Sequence, residues 1–341
     1  MKINLKKKIY VIAEVGHNHQ GNIKTALELF RQAKMSGADA VKLQKRDNKK
    51  LYTRNFYNQS YDHRNSYGKT YGKHREFLEF GNSEYKELIA YSKEINIDFF
   101  VTPFDVPSLE FLEKLEMPAY KIASGDLTNI PLQKEIAKTK KPIFLSTGGG
   151  SIKDVIRAKD NIYKINNKLS ILHCTASYPA KIDDMNLSII KTYRKYFPKI
   201  RLGLSDHENG IDAGPIAYML GATIFEKHFT LNRANKGTDH SFSLEPNGMK
   251  KFVRNLHRIE KLLGSNSKKL LSAEKPHIYK MKKSIVTSKN LKKNHKLTLE
   301  DIDFKSPGNG LEPYYYKTII GNRLKVDLSR EDIILKKHLR K

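Results

Sequence analysis

The chemistry available to this sequence gathers around two histidines. His207 closes Ser205-Asp206-His207 after the apolar run 202–204, and His228 closes Glu226-Lys227-His228 after 223–225. Each run has the length and composition of a short buried strand. Segment 211–220, opened by Gly210 and closed by Gly221, reads as the helix between them. Strand, helix, strand implies parallel neighbours, which bring both imidazoles to one rim. Two neutral imidazoles there suit a divalent metal with open positions. The plainer alternative is a pair of structural histidines.

Two lysines carry the next signal. Lys42 and Lys121 lie inside the nearly continuous apolar runs 40–43 and 119–122. An unpaired ammonium in such a place is costly. Either Glu14 and Asp126 neutralise the pair, or the lysines clamp a phosphate or carboxylate, or one forms a Schiff base. The hydroxyls of Thr102, Ser124, Ser146, Thr175 and Ser205 at neighbouring run ends favour the clamp, as does a helix start after Gly148-Gly149-Gly150. Gln44 stands in the same position, and Glu14 could act as acid, base or binder of metal-bound water. His17 and His19 form a second, less well placed metal-ligand pair. Cys174 reads as a small buried apolar residue before it reads as a nucleophile.

Positioning these groups takes eight strands, predicted at 8–15, 40–43, 98–101, 119–122, 142–145, 170–172, 202–204 and 223–225, each followed by a helical segment. Eight such units define an α/β chain folded as a (β/α)8 TIM barrel, whose active sites sit at the C-terminal strand ends. The polar, tyrosine-rich stretch 46–83 interrupts the alternation and reads as an ordered lid. The barrel domain is expected over 1–265, a linker over 266–281 and a small, mostly β domain over 282–341, with strands at 284–287, 302–305 and 332–337. A domain of that size is marginal alone and is expected to lean on a partner surface.

Composition narrows the class. No apolar run approaches the roughly 18 residues of a membrane span. The start of the chain imitates a secretory signal, but Glu14 interrupts its apolar run and no small-residue cleavage site follows. With a single cysteine, Cys174, the expected compartment is the cytoplasm. The net charge of +27 comes from 63 Lys and Arg against 36 Asp and Glu, yet it forms no stripe interleaved with stacking aromatics. Small anionic substrates are therefore expected rather than nucleic acid.

The segments IAEVGHNHQGN, VKLQK, TPFD, YKIASGD, LSTGG, LHCTASYP, GLSDHENG, EKHFT and KGTDHSFSLEP, with PGNG near the end, resemble the sialic acid (N-acylneuraminate) synthases, whose barrel precedes an antifreeze-like SAF domain. The resemblance implies condensation of phosphoenolpyruvate with an N-acyl-mannosamine-type sugar, releasing phosphate, with Mn2+ or Mg2+ and in a domain-swapped homodimer. It implies that His207 and His228 hold the metal, and that Lys42, Thr102, Lys121, Ser124, Ser146 and Ser205 hold phosphoenolpyruvate. Glu14, Gln44, Tyr178 and Asp239 would face the sugar, with Asp126 near the point of water attack and Glu14, Asp126 and His228 as the catalytic set. Ser306 stands where the bacterial members have an arginine before PGNG, and Ala176 where they often have asparagine. The section 65–80 is similar instead to the animal 9-phosphate synthases, so Lys69, Lys73 and Arg75 either meet a sugar phosphate or are solvated charges of the lid. The alternatives are another phosphoenolpyruvate-dependent barrel synthase with a different aldehyde, or a basic polysaccharide- or nucleic-acid-binding protein.

Overall fold

The eight apolar runs close into one parallel barrel, each strand bonded to the next in chain order and the last to the first. The computed structural model describes residue 3 and residues 7–341; the remainder of the basic start, residues 1, 2 and 4–6, lies outside the described residues. The strands are β1 Tyr10–Gly16, β2 Ala40–Lys45, β3 Asp98–Pro103, β4 Tyr120–Ile122, β5 Ile143–Ser146, β6 Leu169–Cys174, β7 Arg201–Asp206 and β8 Ile224–His228. All but β4 run one to three residues past the C-terminal end of the apolar run that predicts them. The ladder needs only backbone partners, and polar neighbours supply them as well as apolar ones do, as where Gln44 registers with Thr102 and Glu14 with His228.

Helix α1, Ile23–Met35, is capped by Asn22, whose side chain accepts from the Thr25 N–H, and buries Ala26, Leu29, Phe30 and Ala33 against the strands. Three short helices, α2 Asn48–Leu51, α3 Arg54–Asn58 and α4 Tyr71–Phe77, order the long insertion, and α5 Asn82–Glu94 completes its return to β3. Tyr52, Phe56, Tyr61 and Tyr71 pack edge to face inside it, which explains its tyrosine content. Tyr67 donates its hydroxyl proton to the Lys236 carbonyl at 2.5 Å, fastening the insertion to the loop after β8. The remaining barrel helices are α6 Val106–Lys114, α7 Ile130–Lys138, α8 Ile152–Tyr163, α9 Ile189–Tyr196, α10 Ala213–Met219 and α11 Pro246–Leu263.

Strand side chains alternate between two faces. Val11, Ala13, Val41, Leu43, Phe99 and Val101 face the helices and belong to the large outer core. Tyr10, Ile12, Ala40, Phe100, Ala119, Phe144, Leu172 and Ile224 pack on one another in a separate, fully buried cluster that plugs the barrel. Truncating a plug residue such as Phe144 to alanine would cost about 3–5 kcal/mol. Two residues beyond the plug on each successive strand stand Glu14, Lys42, Thr102, Lys121, Ser146, Cys174, Ser205 and Glu226, all buried. The polar layer thus rides on an apolar floor.

The chain divides into two compact units, Met1–Leu263 and Gly264–Lys341. In the second, α12 Lys275–Met281 falls in the predicted linker and precedes an antiparallel pair, β9 Ser284–Thr287 and β10 Ile302–Lys305. After α13 Tyr316–Ile319, two-residue strands β11 Arg323–Leu324 and β12 Leu339–Arg340 pair. The predicted strand at 332–337 does not form. Ile333 makes one isolated bridge to Val286, the Asp332 carboxylate accepts from the Ser329 N–H, and the chain turns into a 3-10 segment at Lys336–His338. Ile285, Leu291, Leu297, Leu324 and Ile334 form this unit's own core.

Candidate active site

Register sets the geometry of the polar layer. Glu14 lies between Lys42 of β2 on one side and His228 of β8 on the other, and Ser205 between Cys174 and Glu226. These residues open into a cavity of about 550 Å³ at the C-terminal strand ends. Lys42, Gln44, Thr102, Lys121, Ser124, Ser146, Ser205, His207, Glu14, His228, Tyr178 and Asp239 all line it. Asp126 does not. It lies on the 3-10 turn Ser124–Asp126, where its carboxylate accepts from Asn129 and its carbonyl from Gln133, beside the cavity wall rather than in it.

The two buried lysines are both paired, Lys42 with the expected Glu14 and Lys121 with a carboxylate other than the expected Asp126. Lys42 Nζ lies 2.6 Å from Glu14 and also donates to Thr102 Oγ1 at 2.9 Å. Lys121 Nζ lies 2.6 Å from Glu226, not from Asp126. Glu226 approaches Lys42 within 4.0 Å and accepts from Ser205 Oγ, so the four charges form one cancelling cluster. Burial disfavours every charge in it, and the neighbours decide the outcome. The Glu226 carboxyl is held at about 2, because Lys121 and Lys42 outweigh its burial. The Glu14 carboxyl is pushed up by burial and by the charge of Glu226, against the pull of Lys42. The Lys121 ammonium is pushed down by burial and by Lys42. A hydrogen-bond chain continues outward: Gln44 donates to Glu14 at 2.7 Å, and Arg46 donates to Gln44 at 2.6 Å.

The paired histidines meet as predicted, with ring centroids 5.3 Å apart. Burial keeps both neutral, His207 down at about 3 and His228 at about 4. The His207 Nδ1–H donates to the Thr175 carbonyl at 2.9 Å, which leaves the Nε2 lone pair free. His228 Nδ1 is buried without a hydrogen-bond partner and lies 3.9 Å from Asp239. Two neutral imidazoles with an orphaned nitrogen fit a divalent ion whose other positions are left to substrate and water. No cluster of three or more His, Cys, Asp or Glu side chains placed to ligate a metal occurs among the described residues. His17 and His19 lie with ring centroids 6.0 Å apart, edge to face, and the His19 ring stacks on Phe80 at 4.1 Å.

Tyr178 covers the rim with its ring centroid 4.2 Å from that of His207. Gly16 bends β1 at φ +54°, a conformation that favours glycine, and an added Cβ would stand 3.3 to 3.5 Å from the side-chain ends of Glu14, Gln44 and Asp239. Burial pushes the Cys174 thiol up, consistent with a wall residue rather than a nucleophile. Among the lining residues, sequence reasoning gave no role to Arg46, Phe104 or Glu226. The period-two pattern marks Glu226, two residues beyond the plug residue Ile224. Arg46 directly follows β2 and lies over the Phe104 ring at 3.8 Å, a signal that only the closed fold provides. Of the three insertion cations, only Arg75 reaches the cavity; exposed Lys73 pairs with Glu76. In the second unit, Ser306 Oγ accepts from Lys283 Nζ at 2.8 Å.

Fold and site together define a barrel enzyme that gathers paired buried lysines, hydroxyls and a two-histidine rim over an apolar plug. The chain belongs to the NeuB family, which matches residues 29–268, and a SAF domain matches residues 282–340. It is 36% identical over 331 residues to the N-acetylneuraminate-9-phosphate synthase of Mus musculus, covering 97% of this chain and 92% of that one. It is 34% identical over 332 residues to the N,N'-diacetyllegionaminic acid synthase of Campylobacter jejuni, covering 96% and 99%. The crystal structure of the N-acetylneuraminic acid synthetase of Leptospira borgpetersenii superposes with a TM-score of 0.68 at 32% identity, over 80% of this chain and 90% of that one.

Proposed function

We propose that this protein condenses phosphoenolpyruvate with the open-chain aldehyde of an N-acyl-mannosamine-type amino sugar, giving a nonulosonic acid and inorganic phosphate. The observation that carries the reading is the neutral cluster of two ammoniums and two carboxylates beside a pair of neutral imidazoles. An anionic substrate entering this layer exchanges places with the glutamates, and Lys42, Lys121 and the hydroxyls of Thr102, Ser124, Ser146 and Ser205 take its carboxylate and phosphate. Ser146 Oγ is buried with no partner within the protein and is free to donate. The relatives, named as synthases of sialic and legionaminic acids, support the same chemistry.

In the reaction, C3 of phosphoenolpyruvate bonds to the aldehyde carbon while water adds to C2. Glu14, whose raised carboxyl sits between Lys42 and His228, receives a proton from that water and returns it to the new alkoxide. The tetrahedral C2 then expels phosphate by C–O cleavage, and its hydroxyl proton leaves with the phosphate. Lys42 and Lys121 hold the charge that gathers on the departing phosphate oxygen. Mn2+ or Mg2+ held by His207 and His228 would polarise the aldehyde as a Lewis acid. Tyr178, Gln44 and Asp239 line the side on which the sugar would be held.

The lone cysteine and the anionic substrates favour a cytoplasmic protein. The small size of the second unit favours a homodimer in which the unit of one protomer covers the barrel mouth of the other. Incubation with phosphoenolpyruvate, Mn2+ and a panel of N-acetylmannosamine, its 6-phosphate and a diamino-dideoxy analogue tests the reaction by phosphate release. Absence of sugar-dependent release with every member would refute it.

A further inference from the structure

The strands that lead to the two histidines end in an ion pair that the proposed reaction does not use. Lys227 and Asp206 lie on the face that Phe225 and Leu204 turn toward the helices, fully buried and outside the basin. Lys227 Nζ stands 2.7 Å from Asp206 Oδ2. Replacing such a pair by apolar side chains of similar volume is often neutral or stabilising, so packing alone does not call for charge here. What the pair adds is direction. Asp206 Oδ1 accepts from the Glu208 N–H at 2.8 Å, and Lys227 Nζ donates to the Glu208 carbonyl. Both backbone groups of Glu208 are thereby held by one ion pair, half of which belongs to β8.

His207 is the residue between Asp206 and Glu208, and His228 is the residue after Lys227. The register of β7 on β8 ends at Asp206 and Lys227, so His207 stands beyond the last paired residues. Its carbonyl accepts from the Ala180 N–H at 3.1 Å and its ring donates to the Thr175 carbonyl at 2.9 Å, both on the segment after β6. Across to β8, the clamp on Glu208 holds it instead. We infer that Lys227 and Asp206 are positioning residues, which set the placement of His207 relative to His228 and so the affinity of the two imidazoles for a divalent ion. The inference rests on the proposed condensation, in which those imidazoles hold the ion. An ion shared by two imidazoles tolerates little drift between them, since each metal–nitrogen bond is fixed at about 2.0–2.1 Å. Groups that orient metal ligands from behind typically carry about 10- to 100-fold of metal affinity.

The test titrates the metal-free protein with Mn2+ alone, by calorimetry, in wild type, His228→Ala, Lys227→Met, Asp206→Asn and the double variant Asp206→Leu with Lys227→Met, alongside urea unfolding of each. The double variant trades the ion pair for apolar side chains and is expected to regain most of the stability that Lys227→Met loses. Its Mn2+ affinity is expected to stay down by about 10- to 100-fold, because nothing then holds Glu208 to β8. A purely structural pair would return affinity together with stability, and that result overturns the inference. If the double variant does not fold, Asp206→Asn decides: roughly tenfold weaker binding upholds the inference and wild-type affinity overturns it. Binding that His228→Ala abolishes but the double variant keeps refutes the positioning role and leaves the histidine site standing. Absence of Mn2+ binding in wild type, or binding that survives His228→Ala, overturns both. Binding of Mn2+ does not depend on turnover, so a chain that releases no phosphate with any sugar refutes the condensation without changing this result.

Discussion

Replacing Glu226 with glutamine removes one charge of the buried four and leaves two ammoniums facing Glu14 alone. The wild-type carboxyl is held at about 2, against the 4.5 of an unperturbed glutamate, by Lys121 and Lys42 over the opposing effect of burial. That difference of about 2.5 in pKa corresponds to about 3 kcal/mol of native-state stabilisation, at 1.36 kcal/mol for each whole step. Breaking a buried ion pair by removing one partner independently gives about 3–5 kcal/mol. The sign with pH follows from the depressed carboxyl: the contribution is complete above 4.5 and disappears as pH falls through 2, with about half remaining at pH 3. Urea unfolding read by tyrosine fluorescence suits a chain with 18 tyrosines and no tryptophan. Glu226→Gln should be less stable by about 3 kcal/mol at pH 7, and the gap should narrow by about half at pH 3. Phosphoenolpyruvate should raise the midpoint more in the variant, because Lys121 no longer has to leave a carboxylate to meet it. A gap below about 1 kcal/mol at pH 7, or one that does not change in acid, would refute the coupling of these four groups.

His228→Ala should abolish turnover and its response to added Mn2+ while thermal unfolding stays close to wild type; surviving activity would place the metal elsewhere. Lys227 is fully buried, 2.7 Å from Asp206, and ties β8, which carries His228, to the end of β7, which His207 follows. Lys227→Met strands Asp206 and should cost about 3–5 kcal/mol in urea unfolding, with an effect under about 1 kcal/mol counting against a shared structural role. In the second unit, burial opposes the charge of Asp301, but His295, Lys289 and Thr298 outweigh it and hold the carboxyl well below its usual range. Its stabilisation is therefore present above about pH 4 and lost in acid, and Asp301→Asn should cost about 1–3 kcal/mol at neutral pH and less in acid. Sedimentation at micromolar concentration checks the proposed dimer, and a fully active monomer would contradict it.

The barrel was legible because its strands are apolar runs separated by helices with clear starts, such as Asn22 before α1 and Ser151 before α8. Strand ends were less legible. Apolar character stops where the chemistry begins, while the hydrogen-bond ladder continues through Gln44, Thr102 and His228. The partner of Lys121 was misassigned for a related reason. Asp126 is near in sequence, whereas Glu226 becomes a neighbour only when β8 closes the barrel beyond β7. The same closure hides Arg46, which meets His17 only where β1 ends, opposite Arg75 from α4. In the second unit, the run at 332–337 has strand composition, but Asp332 turns back on Ser329 instead of extending the pairing.

The cavity has two kinds of wall. Lys42, Lys121, Glu14, Ser205 and Glu226 are fixed by strand register, so a one-residue slip in any strand would turn its contribution away from the basin. Arg75, Tyr178 and Asp239 come from connections between strands, which tolerate insertion and deletion far better. The division separates what can drift from what cannot. A lineage could exchange one acceptor for another by rewriting the connections, while the bond-forming half stays locked in the sheet. Relatives named for different sugar acids, at similar identity to this chain, are what such a modular mouth would leave behind.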